Sequence, residues 1–207
     1  MDFPDHPFWN FSVAVHQVSG VHEACLALQT RYGLDVNLLF FCCWAGHAKG
    51  ARLDYRQIRQ AMDSVSGWHE EIVRPIWKAR WRLKPSFSGF AVERTEVLRR
   101  KLVEVELDAE YIEQLHLADS VLMEGDPNLS EEIRSDHAIT NLFSYLEGFM
   151  RSKVGLVPHR DELIGPLTVL VSACFPGTDK DRLGSLITDR WCWGGNQKEG
   201  DEGSKTD

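Results

Sequence analysis

Long apolar runs are missing from this chain. The longest, Leu38–Ala45, has eight residues, under half of the roughly 18–20 that a helix needs to cross a bilayer. No membrane span is therefore expected. The opening MDFPDHPFW places no Lys or Arg ahead of an apolar stretch, the wrong charge pattern for a secretory signal, so a cytoplasmic location is expected. Cysteine is sparse and irregular: Cys25, Cys42, Cys43, Cys174 and Cys192 are an odd number without a CxxC pair. In a chain of this size that pattern argues against a disulfide framework. Catalytic signatures are lacking too. There is no P-loop, no dinucleotide-binding glycine pattern, no GxSxG elbow and no HExxH; HEEIV at His69 lacks the second histidine and is expected to be a polar helix face. No cofactor is predicted, and whether the chain is an enzyme stays open.

Positive charge is in deficit as well. The formal charge is -8 at pH 7, which disfavours a general nucleic-acid binder, since such proteins need a basic surface to displace counterions. The charge is nevertheless segregated. Residues 74–101 hold nine Lys or Arg against two Glu, and residues 104–119 hold six acids with no Lys or Arg.

What is present is hydrophobic material at helical spacing. Of the 207 residues, 43% are hydrophobic, with seven tryptophans, enough to bury one core. Phe8, Phe11, Val15 and Val18 recur every three or four residues, and Val21, Cys25 and Leu28 form a second stripe ended by Gly33. DVNLLFFCCWAGH, residues 35–47, is apolar all round, which marks a helix buried on every side; Asp35 suits its N-cap. The link at Gly33 predicts that helices two and three form an antiparallel hairpin. Asp54 and Ser66 each look like the cap of a further helix, and Pro75 predicts a kink. A long helix from about Val92 carries Leu98, Leu102, Val105, Ile112 and Leu115. The expected fold is all-α: a multi-helix, orthogonal or bundle-like domain around a central buried helix at 35–47. Its expected divisions are a helical core at 1–153, a C-terminal helical extension packed on it at 154–193, and a disordered acidic tail at 194–207.

Three sets of residues are candidates for function. RPIWKARWRLK interleaves Trp77 and Trp81 with Arg74, Lys78, Arg80, Arg82 and Lys84. Such a surface either pairs with the neighbouring acidic run or meets an acidic partner. It supports the favoured expectation, a non-enzymatic interaction or adaptor module binding a protein partner through Trp77, Arg80, Trp81 and Arg82; a homo-oligomer is a further option. The alternative is a small-molecule- or metal-binding protein with a pocket between the first helices and the long helix, reached by polar groups from His16, Asp35, Asn37 and Arg56. The third set is His22, Cys25, Cys43 and His47, weak metal candidates because each pair shares a helix face. Against them stands the ordinary burial of free cysteine as a small hydrophobe.

FWNFSVAVHQVSGVHEACLALQTRYGLDVNLLFFCCWAG, residues 8–46, and EVLRRKLVEVELDAEYIEQLHL further on resemble an uncharacterised family of short proteobacterial proteins, a domain of unknown function. The likeness covers roughly the first two-thirds of the chain. It implies a bacterial cytoplasmic protein and brings no activity with it.

Overall fold

A computed structural model describes residues 4–84, 87, 89–153 and 160–191. Among these residues the protein is all-α, with no strand. The expected tail at 194–207 lies outside the described residues, as do Cys192 and the start of the C-terminal extension.

The centre is α3 (Val36–Lys49), in which every residue from Asn37 to Gly46 is buried. Asp35 caps it, its side chain accepting from the N–H groups of Asn37 and Leu38, and Gly50 ends it at φ 59°, a backbone conformation that glycine adopts at no steric cost. The apolar run is thus a rod with neighbours on all sides: α7 (Glu131–Ser152) along its length, with α1 (Pro7–His16), α6 (Val92–Ser120) and α8 (Arg160–Cys174) around it. α3 and α7 are in close contact at Gly46, where a Cβ would sit 2.6 Å from the backbone nitrogen of Ala138. From α7, buried Asn141 accepts from Leu53 N–H at 2.8 Å and donates to the carbonyls of Ala51 at 3.1 Å and Cys42 at 3.3 Å. One side chain thereby satisfies the backbone that leaves the central helix.

Two expectations are corrected. α2 (Val21–Tyr32) does not lie along α3 as a hairpin; its main partner is α8, because the stripe holding Val21, Cys25 and Leu28 finds the apolar face of α8, with Leu163, Leu167 and Leu170, in the same core. α9 (Lys180–Asp189) in turn covers α8. Ser66 caps nothing: its hydroxyl donates to Asp63 O, and α4 (Tyr55–Trp68) runs through a π-helical turn, His69–Val73, straight into α5 (Arg74–Arg82). Pro75 has no N–H to donate and crowds the preceding turn, and the wider turn directly upstream, closed by Arg74 N–H donating to His69 O, stands where a kink was expected. On α6 the apolar stripe faces outward. Leu98, Val105 and Ile112 are 50%, 48% and 50% exposed, whereas Glu106 and Glu113 are buried.

Candidate functional site

The inward acids of α6 are the start of the site. Glu106, Glu110 and Glu113 follow one another at four- and three-residue steps, so they share a stripe, and the carboxylates meet polar groups from three other elements. Asp35 at the start of α3 and His69 at the start of the π turn are both buried beside Glu113. His69 Nδ1 lies 3.1 Å from Asp35 Oδ2 and 3.3 Å from Glu113 Oε1, yet it makes a well-aligned hydrogen bond to neither, and Glu113 Oε1 is likewise without one. The remaining oxygens are occupied. Asp35 Oδ1 accepts from Asn37 and Leu38 N–H, Glu113 Oε2 accepts from Asn37 Nδ2 at 2.6 Å, and Asn37 Oδ1 accepts from Gln114 Nε2 at 2.8 Å. The hydroxyl of Tyr145, from α7, accepts from Asp35 N–H at 2.9 Å.

Electrostatics hold protons in this cluster. Burial, and then the Glu113 charge, push Asp35 up to about 8. Burial opposes the charging of His69, but Asp35 and Glu113 outweigh it and raise the imidazole to about 9. At neutral pH Asp35 is therefore favoured in its protonated form and His69 as the imidazolium, since burial in a low-dielectric interior disfavours an ionised carboxyl at Asp35 and the neighbouring acids favour the charged ring.

Beside the cluster, and sharing Asn37 and Gln114 with it, is a cavity of about 450 Å³ between α1, α2, α3, α5 and α6. Its walls are largely apolar, with Trp9, Leu26, Phe40, Trp77 and Leu107 among them. Glu106 at its edge is held by Arg80 in a two-pronged ion pair, Nη2 to Oε1 at 2.8 Å and Nε to Oε2. Glu110 also lines the cavity but forms no hydrogen bond or ion pair among the described residues; burial, then the neighbouring Glu106 and Glu113 charges, raise it to about 8. At the mouth, His16 Nε2 and His22 Nδ1 are 3.3 Å apart, and burial together with His22 lowers the His16 pKa.

Of the residues singled out from sequence, His16 and Asn37 do line this cavity and Asp35 stands behind it, whereas Arg56 is exposed on α4. Trp77 stacks on Trp81 at 5.7 Å between ring centroids, and Lys84 Nζ lies 4.5 Å from the Trp81 ring. Arg80 turns inward to Glu106, and Arg82 covers Phe87 at 4.6 Å. The metal candidates of α2 and α3 do not converge. His22 is exposed beside His16, and His47 packs between Phe11 and Phe175, 5.1 Å and 5.4 Å away. Cys25 and Cys43 are buried, and burial with the nearby Cys43 lifts the Cys25 thiol to about 12, so it is not a reactive thiolate. His69, expected on a polar face, is instead buried, because the π turn rotates it towards α3 and α6. The acidic stripe was readable from its register; the pairing with His69 was not, since nothing in local spacing marks a π turn.

A family model described as a protein of unknown function, DUF2390, matches residues 7–117. The chain belongs to this family. The match spans more than half of the 207 residues and ends within α6, short of the two-thirds suggested by sequence likeness; Asp35, His69, Glu113 and every residue lining the large cavity fall inside the DUF2390 segment. No curated protein and no solved structure matches the chain. No helix among the described residues is long and apolar enough to cross a membrane.

Proposed function

We propose that the protein binds a small apolar amine in the cavity between α1, α2 and α6. The supporting observation is Glu110: a carboxyl group set among apolar walls without a cationic partner. The cavity volume falls in the range of ligand pockets, roughly 300–1,000 Å³, and its aromatic walls suit an organic body. An ammonium group gives Glu110 the counter-charge that favours its ionised form. The proposal assigns binding and no reaction. A cytoplasmic location accords with the free thiols of Cys25, Cys42, Cys43 and Cys174.

Titration of the purified protein with 2-phenylethylamine, followed by tryptophan fluorescence from Trp9 and Trp77, tests this reading. The amine is expected to bind at least tenfold tighter than 2-phenylethanol, and Glu110→Gln to erase that preference. Equal binding of the two compounds, or none of either, overturns it.

A second reading, docking of a protein partner on the outer helices, is favoured by the outward stripe of α6, where Leu98, Val105 and Ile112 stand at seven-residue spacing with half of each surface open. Trp81, 36% exposed, extends the same kind of surface on α5. Size-exclusion chromatography with light scattering checks the homo-oligomeric form of this reading. A dimer that Val105→Asp and Ile112→Asp return to monomer supports it, and a wild-type monomer at high concentration counts against it.

A further inference from the structure

We propose that Asp35, His69 and Glu113 form a binding site for one divalent first-row transition-metal ion. The inference is independent of the amine-binding reading and rests on how the three side chains meet. One ligand atom from each lies within 4.8 Å of the others, and His69 Nδ1 stands 3.1 Å and 3.3 Å from the two carboxylate oxygens. Ligands bonded to one ion at about 2.1 Å, with tetrahedral or octahedral angles, are themselves roughly 3.0–3.4 Å apart. The observed separations fit that pattern.

Alignment separates this arrangement from an ordinary histidine–carboxylate pair. In a direct hydrogen bond the acceptor sits on the axis of the ring nitrogen, whereas ligands sharing an ion lie off that axis. Neither oxygen hydrogen-bonds His69 Nδ1, and Glu113 Oε1, fully buried, has no hydrogen-bond partner. Each carboxylate divides its oxygens in the same way. Asp35 Oδ1 is fixed by Asn37 and Leu38 N–H and Glu113 Oε2 by Asn37 Nδ2, which leaves the second oxygen of each turned to His69. Outer hydrogen bonds of this kind orient metal ligands.

Charge agrees with the geometry. Two carboxylates and a neutral imidazole balance a dication, so the loaded site is uncharged where burial demands it. His69 also lines a separate opening of about 330 Å³ together with Gly33, Arg74 and Trp77.

The test uses full-length protein stripped with EDTA and titrated with Co²⁺ and with Zn²⁺. The expected result is one equivalent of either ion, with visible d–d absorption for Co²⁺ and affinity that rises between pH 6 and pH 8, because the ligands must give up protons. His69→Ala and Glu113→Gln are expected to lose at least 100-fold in affinity. Asp35→Asn keeps the helix cap, so it tests the site in a folded protein, and is expected to lose at least tenfold, with folding confirmed by circular dichroism. The double variant His16→Ala/His22→Ala is expected to bind as wild type. Absence of stoichiometric binding at pH 8, undiminished binding by folded Asp35→Asn, or loss of binding in the His16/His22 variant each overturns the assignment.

Discussion

Raising the pH from 7 to 9 is expected to cost the metal-free protein about 3 kcal/mol of folding stability. The groups responsible are Asp35 from α3, His69 from the π turn and Glu110 from α6, with the charge of Glu113 close to all three and the hydroxyl of Tyr145 beside Asp35. A group whose pKa is raised by folding holds its proton more tightly in the folded state, so folding weakens as pH climbs between the unfolded and folded values. For His69 the stabilisation is complete below 6.5 and is lost as pH passes about 9. For Asp35 and Glu110 the penalty grows from about 4 until pH passes about 8. All three therefore act in one direction above neutrality. His16 and His47, lowered by burial, act in the opposite sense, but only up to about their ordinary value of 6.5. Asp35→Asn resembles the protonated aspartate, keeps the cap, and removes both a titrating group and the main charge that raises His69. Its loss of stability between pH 7 and pH 9 is expected to be less than half that of wild type. Urea unfolding of EDTA-treated protein at the two pH values is the measurement; a stability that stays level or rises would show that the cluster does not hold these protons.

Asn141→Leu is expected to destabilise the fold by about 4 kcal/mol at pH 7. Leucine has a similar size, so the effect does not come from a cavity. It comes from two backbone groups stripped of their partner in the interior, Leu53 N–H and the carbonyl of Ala51, and from the loss of a second donor to the carbonyl of Cys42. A buried group left without a hydrogen bond costs about 1–3 kcal/mol, and the segment of residues 50–53 that joins α3 to α4 has no strand or helix of its own to supply a replacement. Chemical denaturation of the variant decides the matter. A change below about 1 kcal/mol would mean that the link finds other partners and that Asn141 is not what holds it.

These two predictions involve residues of very different legibility. Asp35 was recognisable as a cap from its place before an apolar run, but its burial beside Glu113 and His69 was not. Asn141 stands in α7 between apolar residues, and no local pattern distinguishes it from a polar residue on an exposed face. The α6 acids were visible as a charge run, and their common stripe follows from a spacing of four and three. Their inward orientation is not what hydropathy favours, because a helix with both an apolar and an acidic stripe is ordinarily buried by the former. The inverse orientation becomes favourable only when His69, Arg80 and Asn37 are there to receive the carboxylates.

By itself the amino-acid sequence determined the helical class, the central rod at 35–47 with its aspartate cap and glycine stop, and the burial of its cysteines. Each follows from the period and composition of a short segment, and local physics is sufficient for such features. The course of α4 through the π turn, the partner of α2, the face that α6 turns inward, and the meeting of Asp35, His69 and Glu113 were decided by tertiary structure. They depend on groups far apart in the chain, 34 residues for Asp35 and His69 and at least 128 for α2 and α8, competing for the same interior space, and the cost of burying one charge is set by which other charges arrive beside it.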